Sequence, residues 1–214
     1  MTHTRAAGPM LPRDPLPPRA EAEHTMGMPA QATRWTAKMV RALPDDGNRY
    51  EVVDGELLVT PAPAELHQRA VALLLIELGP YLLARTTCEV LASPADIELD
   101  AEGMVQPDVF VQGMVDGRPS LAWNSGAPLH LVIEILSPST ARSDRTIKRR
   151  RFQRARIPEY WVVDLDARVI ERWRPDDDRP EILAERITWL PEGTVEPLTI
   201  DLPPLFARIH GERP

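Results

Sequence analysis

The feature that most constrains this chain is an acid inside an apolar run. Residues 131–140 read LVIEILSPST, and Glu134 interrupts a segment that is otherwise typical of a central β-strand covered on both faces. Burying an unpaired carboxylate costs on the order of several kcal/mol. The fold must therefore place something against Glu134 that compensates its charge, and the nature of that compensation bears directly on function.

The composition fits one globular domain with a core of its own. The 214 residues are 43% hydrophobic and 27% charged. The formal net charge of −7 argues against a chain that coats nucleic acid by bulk electrostatics, so any nucleic-acid site has to be local. The single cysteine, Cys88, excludes an intrachain disulfide framework and a zinc ribbon, and it fits a cytoplasmic location. Since no apolar run reaches the roughly 18 residues of a membrane span, we expect no membrane partner.

Two regions of different composition divide the chain. Residues 1–33 contain six prolines and few large apolar side chains, and they predict a disordered, Pro-rich N-terminal tail that is dispensable for folding. Residues 34–210 carry alternating and helical patterns and predict a single domain. The order of these patterns predicts an α/β fold, with a mixed β-sheet flanked by helices.

The element boundaries come from turn signals and periodicity. Asp54-Gly55 joins two alternating runs and predicts a β-hairpin, and residues 64–85 keep a helical spacing of leucines. A second helix is predicted over residues 141–156, ending before Pro158. The other predicted strands are residues 88–93, 95–100, 106–112, 129–136, 159–165 and 167–175, with weak strands and a final helical turn near Leu205 to follow.

A second acid occupies a strand-like segment. Asp108 lies in QPDVFVQ, where Pro107 is tolerated as the first residue of a strand. If this strand is the neighbour of the one bearing Glu134, the two carboxylates converge. Converging carboxylates repel each other, which raises one pKa or demands a cation. Oxygen-only ligands favour a hard ion such as Mg²⁺.

The helix after Glu134 carries a lysine on its inner face. At 100° per residue, Ala141, Phe152 and Ala155 form one stripe that should face the sheet, with Lys148 in its middle and Asp144 at its edge. An ammonium aimed at the sheet could neutralise charge that develops on a phosphate, or orient an attacking water. Three arginines on the outer faces are candidates for phosphate contacts: Arg142, Arg149 and Arg150.

These segments, in this order, resemble a known family. YEVVDGELLVTPAP, PDVFV, LVIEILSPST, the helix with Lys148 and IPEYWVVDL resemble the Uma-two family of restriction endonucleases, in the PD-(D/E)XK nuclease superfamily, over about residues 35–206. The resemblance implies a restriction-endonuclease-like core for residues 34–210. It also implies Mg²⁺-dependent (or Mn²⁺-dependent) cleavage of phosphodiester bonds, with DNA as the substrate.

The resemblance also assigns roles to individual residues. Asp108 matches the aspartate of the PD element and Glu134 the acid of the (D/E)XK element, so both are expected to bind the metal. Leu136 occupies the position of the expected lysine, and Lys148 is the candidate to replace it. Two accessory candidates lie in family-like positions: Glu56 and His67.

Each residue also has a structural interpretation that the sequence leaves open. Asp108 could only cap a turn, Glu134 could pair with an arginine, and Lys148 could be an exposed helix residue paired along the helix. Glu56 could be a solvated hairpin acid, and His67 a residue at the edge of the core.

The function has alternatives at the same level. Leu136 favours a catalytically degraded nucleic-acid-binding or interaction module on the same fold. A purely structural acidic protein would need Glu134 paired with an arginine and no cleft. For an enzyme that cuts both strands of a duplex, a symmetric homodimer is the expected assembly.

Overall fold

The structure, a computed structural model, describes residues 34–100, 103–119 and 126–212. The disordered tail predicted for residues 1–33 lies outside these ranges, so it stays a prediction. Within the described ranges, none of the helices combines the length and the apolarity that crossing a membrane requires.

The described residues form short strands and a few helices. The strands are β1 (Arg49–Val53), β2 (Glu56–Thr60), β3 (Glu89–Ala92), β4 (Ile97–Asp100), β5 (Gly103–Val105), β6 (Val109–Gln112), β7 (Leu129–Ile135), β8 (Glu159–Asp164), β9 (Val169–Trp173), β10 (Glu181–Leu183), β11 (Arg186–Trp189) and β12 (Leu198–Asp201). The helices are α1 (Ala37–Val40), α2 (Glu65–Arg85), α3 (Ala141–Ser143), a π-helical segment (Asp144–Lys148), α4 (Arg149–Arg154) and α5 (Leu202–Ile209).

The central sheet is mixed, as predicted. Its strands lie in the order β10-β9-β8-β7-β6-β3, and the β7–β8 pair is parallel while the other pairs are antiparallel. The parallel pair follows from the helical connection between β7 and β8, because parallel neighbours need a crossover. A four-stranded antiparallel sheet, β2-β1-β5-β4, and the β11–β12 pair complete the strands. The predicted α/β fold with a mixed sheet and flanking helices is confirmed.

Both faces of the central sheet are covered. One face packs against α2 and α5 through side chains such as Leu74 and Phe206. The other face packs against α4 and the β1 hairpin through Phe152 and Val53. This double coverage explains why β7 reads as a nearly continuous apolar run, and it makes the charge of Glu134 costly.

The β1–β2 hairpin and the crossover helix, which consists of α3, the π-helical segment and α4, end where turn chemistry requires. Asp54 and Gly55 both have positive φ angles, +54° and +81°, as a two-residue type I′ turn needs. The crossover helix stops at Arg154, two residues earlier than predicted, because Arg156 takes a left-handed φ of +57°. The N–H of Ile157 then donates to the carbonyl of Phe152 at 3.1 Å, which caps the last turn.

Two strands differ from the prediction. β5 is only three residues long, too short to show the alternation from which a strand is predicted. β6 begins at Val109, so Asp108 precedes the strand instead of lying in it. The backbone carbonyl of Asp108 accepts from Ser93 N–H at 3.2 Å, and its side chain takes over the bond to β7 that a strand residue would make.

The orientation of α2 gives a matched pair of substitutions. Leu74 is 0% exposed and Leu83 is 86% exposed on the same helix. We expect Leu74→Ala to lower the free energy of unfolding by about 2–5 kcal/mol, because it removes buried apolar surface and leaves a cavity. Leu83→Ala should change it by less than about 0.5 kcal/mol. Urea denaturation measures both, and equal losses would contradict the packing of α2.

Candidate active site

Asp108 and Glu134 come from neighbouring chain segments on one face of the sheet. In the antiparallel β6–β7 pair Val109 stands opposite Ile133, and continuing this register by one residue sets Asp108 opposite Glu134. Residues directly opposite each other project to the same face. The N–H of Ile135 donates to Asp108 Oδ2 at 2.8 Å, which fixes the aspartate beside Glu134.

Glu134 forms an ion pair with Lys148, and the ammonium of Lys148 lies close to three carboxylates. Lys148 Nζ donates to Glu134 Oε1 at 2.9 Å and lies 2.8 Å from Glu51 Oε2 and 3.7 Å from Asp144 Oδ1. The side chains of Lys148 and Glu134 are each 1% exposed. One ammonium therefore joins β7, β1 and the crossover helix. The inward orientation predicted for Lys148 agrees with this position, while a catalytic role for it stays a prediction.

The crossover helix widens where it meets the acids. In the π-helical segment the N–H of Arg149 donates to the carbonyl of Asp144, five residues back, and the Tyr160 hydroxyl donates to the same carbonyl at 3.0 Å. Both Asp144 and Lys148 are buried on its inner side. A hydroxyl inserted into the helical ladder is a recognised cause of such a distortion, and π-helical turns recur at functional sites.

A second set of contacts surrounds Asp108. Arg49 Nη1 donates to Asp108 Oδ1 at 2.7 Å, and His67 Nε2 lies 3.0 Å from Oδ2. Arg49 and Glu51 are two residues apart on β1 and so share one face of that strand. The backbone N–H of Gln106 donates to Glu51 Oε1 at 2.8 Å. We call the following six side chains the acid cluster: Arg49, Glu51, Asp108, Glu134, Asp144 and Lys148.

The acid cluster has more acids than bases. Four carboxylates face two cations, Arg49 and Lys148, which leaves an excess of two negative charges when all are ionised. Burial raises the pKa of Glu134 well above its usual value, and the charges of Asp108 and Asp144 add to this effect although Lys148 opposes it. Burial likewise raises the pKa of Asp144. The site therefore resists full ionisation in the absence of a further cation.

The pKa values of Asp108 and Lys148 shift in the directions that keep both side chains charged. Burial acts to raise the pKa of Asp108, but the hydrogen bond from His67 and the charge of Arg49 outweigh it, so this pKa lies well below its usual value. Burial acts to lower the pKa of Lys148, but the carboxylates of Glu134, Glu51 and Asp144 outweigh it and raise this pKa. Lys148 is therefore an ammonium throughout the physiological pH range.

A cavity of about 910 Å³ opens beside Asp108. Within the acid cluster Asp108 and Arg49 line it, and His67, Thr140 and Arg145 contribute further polar wall. The interpretation as a purely structural acidic protein required an arginine partner for Glu134 and no cleft. Neither condition is met, because the partner is Lys148 and the cleft is present.

The structure does not bring all the predicted residues to this place. Glu56 is exposed at the start of β2 and lines a separate cavity of about 700 Å³ together with Arg142 and Arg150. Arg149 lies over the Trp173 ring at 4.5 Å and donates to Gln153, so its guanidinium is held by the protein itself. Of the two accessory candidates, His67 is beside Asp108 and Glu56 is not in the acid cluster.

Two members of the acid cluster, Arg49 and Glu51, are absent from the sequence-based prediction. The available signal was alternation, since Glu51 shares a strand face with Val53, which is fully buried. An acid on the apolar face of a hairpin is unusual in the same way as Glu134 in its strand.

The acid cluster offers oxygen donors to a metal ion. Two buried carboxylate oxygens, Glu51 Oε2 and Asp144 Oδ1, lack a well-aligned hydrogen-bond donor in the described part of the chain. Across the same residues, no group of three or more His, Cys, Asp or Glu side chains already stands in metal-ligand geometry. This donor set fits Mg²⁺, which needs only one or two carboxylates and completes its shell with waters and phosphate oxygens.

The chain is similar to one protein family and, in fold, to a solved structure. Residues 37–206 match the family model Uma2, whose description is "Putative restriction endonuclease". A crystal structure from Anabaena variabilis ATCC 29413, of "a putative nuclease belonging to DUF820", is similar in fold, with a TM-score of 0.64 at 16% sequence identity. The likeness covers 82% of this chain and 99% of that chain. No curated protein sequence matches the chain.

Removing the shared ammonium should destabilise the protein in a pH-dependent way. Lys148→Met leaves three buried carboxylates without their cation, so we expect the free energy of unfolding at pH 8 to fall by about 3–5 kcal/mol. The raised pKa of Lys148 means that the wild-type ammonium is fully present at both pH 5 and pH 8. In the variant the pKa values of Glu134 and Asp144, which burial already raises, rise further, so the loss should be smaller at pH 5, where these acids take up protons.

Urea denaturation at pH 5 and pH 8 measures this difference. Lys38→Met, at an exposed lysine of α1, is the matched control and should behave like the wild type at both pH values. A Lys148→Met variant as stable as the wild type at pH 8 would indicate that Lys148 is a solvent-exposed helix residue and not the cation of a buried cluster.

Proposed function

The chain belongs to the Uma2 family, described as "Putative restriction endonuclease", and from this membership and the acid cluster we propose that it is a metal-dependent endonuclease. Its reaction is the hydrolysis of phosphodiester bonds, and its proposed substrate is DNA. The observation that carries the proposal is the buried Glu134–Lys148 pair, which stands next to Asp108 at the wall of a cavity.

The proposed cofactor is Mg²⁺ or Mn²⁺, with Asp108 and Glu134 as its protein ligands. A divalent cation offsets the two excess negative charges of the acid cluster, which supports this assignment. When bound, such an ion polarises the scissile phosphate and lowers the pKa of a water in its shell. Glu51, with an oxygen that lacks a well-aligned donor, is a further candidate ligand.

Lys148 and Glu134 have different proposed roles in the reaction. Because its pKa is raised, Lys148 keeps its proton, so it orients the attacking water and stabilises negative charge on the phosphate instead of acting as a base. Glu134 is proposed to hold the cation, whose positive charge would favour the ionised carboxylate that burial disfavours.

The alternative is a catalytically degraded nucleic-acid-binding or interaction module on the same fold. This alternative is favoured by Leu136, which occupies the position where the superfamily has a lysine. The position of Lys148 weighs against it, since an ammonium 2.9 Å from Glu134 supplies from the crossover helix the charge that Leu136 lacks.

The remaining parts of the proposal concern the phosphate contacts, the oligomeric state and the cellular location. Arg142 and Arg150 are exposed beside the second cavity and are proposed to contact DNA phosphates outside the cleavage site. Arg149 is a weaker candidate because Trp173 and Gln153 hold its guanidinium. We propose a homodimer, which lets two sites act on the two strands, and a cytoplasmic location.

A cleavage assay tests the proposal directly. The wild type should cut plasmid DNA with Mg²⁺ or Mn²⁺ and lose this activity in EDTA. Asp108→Asn and Glu134→Gln should each lower the cleavage rate by at least about 100-fold, since each removes a charge that acts in the transition state. Glu181→Gln, at an exposed acid of β10, is the matched control and should cleave at the wild-type rate.

Single-stranded DNA and RNA belong in the same assay, because they define the substrate class. Cleavage of RNA alone would move the proposal to a ribonuclease. A wild type that binds DNA but cuts none of these substrates with either ion would favour the degraded module.

A further inference from the structure

We propose that Arg49 is a phosphate-binding residue of this site that alternates between two partners. Its guanidinium neutralises Asp108 in the metal-free protein, and it contacts a phosphate of the nucleic acid when a divalent cation occupies the acid cluster. The inference rests on the proposed function, and it assigns to Arg49 a contact that the sequence alone assigns to arginines elsewhere.

The two cations of the acid cluster differ in the solvent exposure of their side chains. Lys148 is 1% exposed, lies close to three carboxylates and is not among the residues that line the cavity. The side chain of Arg49 is 20% exposed and lines the cavity. A phosphate that enters the cavity beside Asp108 therefore meets the guanidinium of Arg49 before any other cation of the cluster.

The other arginine of the cavity wall is already neutralised. Arg145 donates to Asp164 at 2.7 Å and to Glu171 at 2.6 Å, so two carboxylates share its charge. The three arginines predicted from the sequence do not line this cavity, since two stand at the second cavity and one lies over Trp173. Among the arginines and lysines of the described residues, Arg49 is thus the one that is both close to the acids and open to the cavity.

The hydrogen bonds of Arg49 leave it capacity for a second partner. Its Nη1 donates to Asp108, while its buried Nε donates to no acceptor within the described residues. A guanidinium carries five N–H donors in a planar fork that matches phosphate oxygens. Burying an unused donor costs free energy, and a phosphate oxygen would satisfy it.

Asp108 couples the two partners of Arg49. A divalent cation on Asp108 takes over the charge that Arg49 now neutralises, and the two cations repel each other. Arg49 is then free to pair with a phosphate, which the metal attracts to the same place. This competition predicts opposite effects of removing Arg49: tighter binding of the cation and weaker binding of the nucleic acid.

The experiment measures both ligands on the same variant. Mg²⁺ alone is titrated into the wild type and Arg49→Gln by calorimetry, with the Mg²⁺-dependent rise in melting temperature as a second readout. A fluorescent DNA duplex is titrated at several salt concentrations, once in EDTA and once with Ca²⁺, which takes the same kind of oxygen ligands. Gels of the same samples show whether the duplex stays intact.

We expect Arg49→Gln to bind Mg²⁺ about 5- to 10-fold more tightly, because a like charge near the site is removed. With Ca²⁺ present it should bind DNA about 10-fold more weakly, and the slope of log affinity against log salt should fall by about one phosphate contact. In EDTA the loss of DNA affinity should be smaller, because Arg49 is then engaged by Asp108. Arg186→Gln, at an exposed arginine paired with Asp201, should change none of these values.

Two other outcomes overturn the inference. If Arg49→Gln weakens both ligands or neither, Arg49 is only the structural counter-ion of Asp108. If the variant does not fold, Arg49→Lys keeps the charge but not the fork, and it should hold Mg²⁺ as the wild type does while binding DNA several-fold more weakly. Wild-type affinity of Arg49→Lys for DNA would refute the phosphate contact.

The failure of the proposed function is distinguishable from the failure of this inference. A wild type that binds neither Mg²⁺ nor DNA removes the nuclease proposal and Arg49 with it. A wild type that binds both ligands, beside an Arg49→Gln variant with unchanged affinities, removes only the role of Arg49.

Discussion

The contact on which the structure depends is the Lys148 ammonium between Glu134, Glu51 and Asp144. It joins the central sheet, the hairpin and the crossover helix at a point where water is excluded. Without this ammonium, each of the three elements would bring an uncompensated carboxylate into the core, at a cost comparable to a large part of a domain's stability. The π-helical widening at Asp144–Lys148 places both of its charged residues at this junction.

Such an arrangement is difficult to explain by stability alone. A buried ion pair is often no better than apolar residues of the same volume, and this one includes more carboxylates than it can neutralise. The excess is local, since the opposite face of the same sheet packs a large apolar cluster that includes Leu74 and Phe206. The surplus of negative charge supports the proposal that a divalent cation binds here, and Asp108 and Arg49 connect the acid cluster to the cavity.

The parts of the site that the sequence predicts are those encoded within one element. Glu134 is conspicuous in an apolar strand, and Lys148 follows from the 100° spacing of its own helix, so both positions are predictable locally. Arg49 and Glu51 become important only because β1 packs against β5 and faces Lys148. That packing depends on a three-residue strand and on long-range pairing, which no local pattern records. The crossover helix is two residues shorter than predicted for a similar reason. Arg156 takes a left-handed φ, which arginine rarely adopts and which its sequence position does not signal.

The most direct test of the account is thermal melting of the wild type and Glu134→Gln, each with and without Mg²⁺. Glu134 has a raised pKa, so its contribution to stability is present below the usual value of about 4.5 and is lost as the pH rises. At pH 7.5 the metal-free Gln variant should therefore melt at or above the wild-type temperature. Mg²⁺ should stabilise the wild type by about 1.4 kcal/mol at ten times its Kd and leave the variant unchanged. A variant that melts well below the wild type without metal, beside a wild type that ignores Mg²⁺, would make Glu134 a structural ion-pair residue and contradict the account.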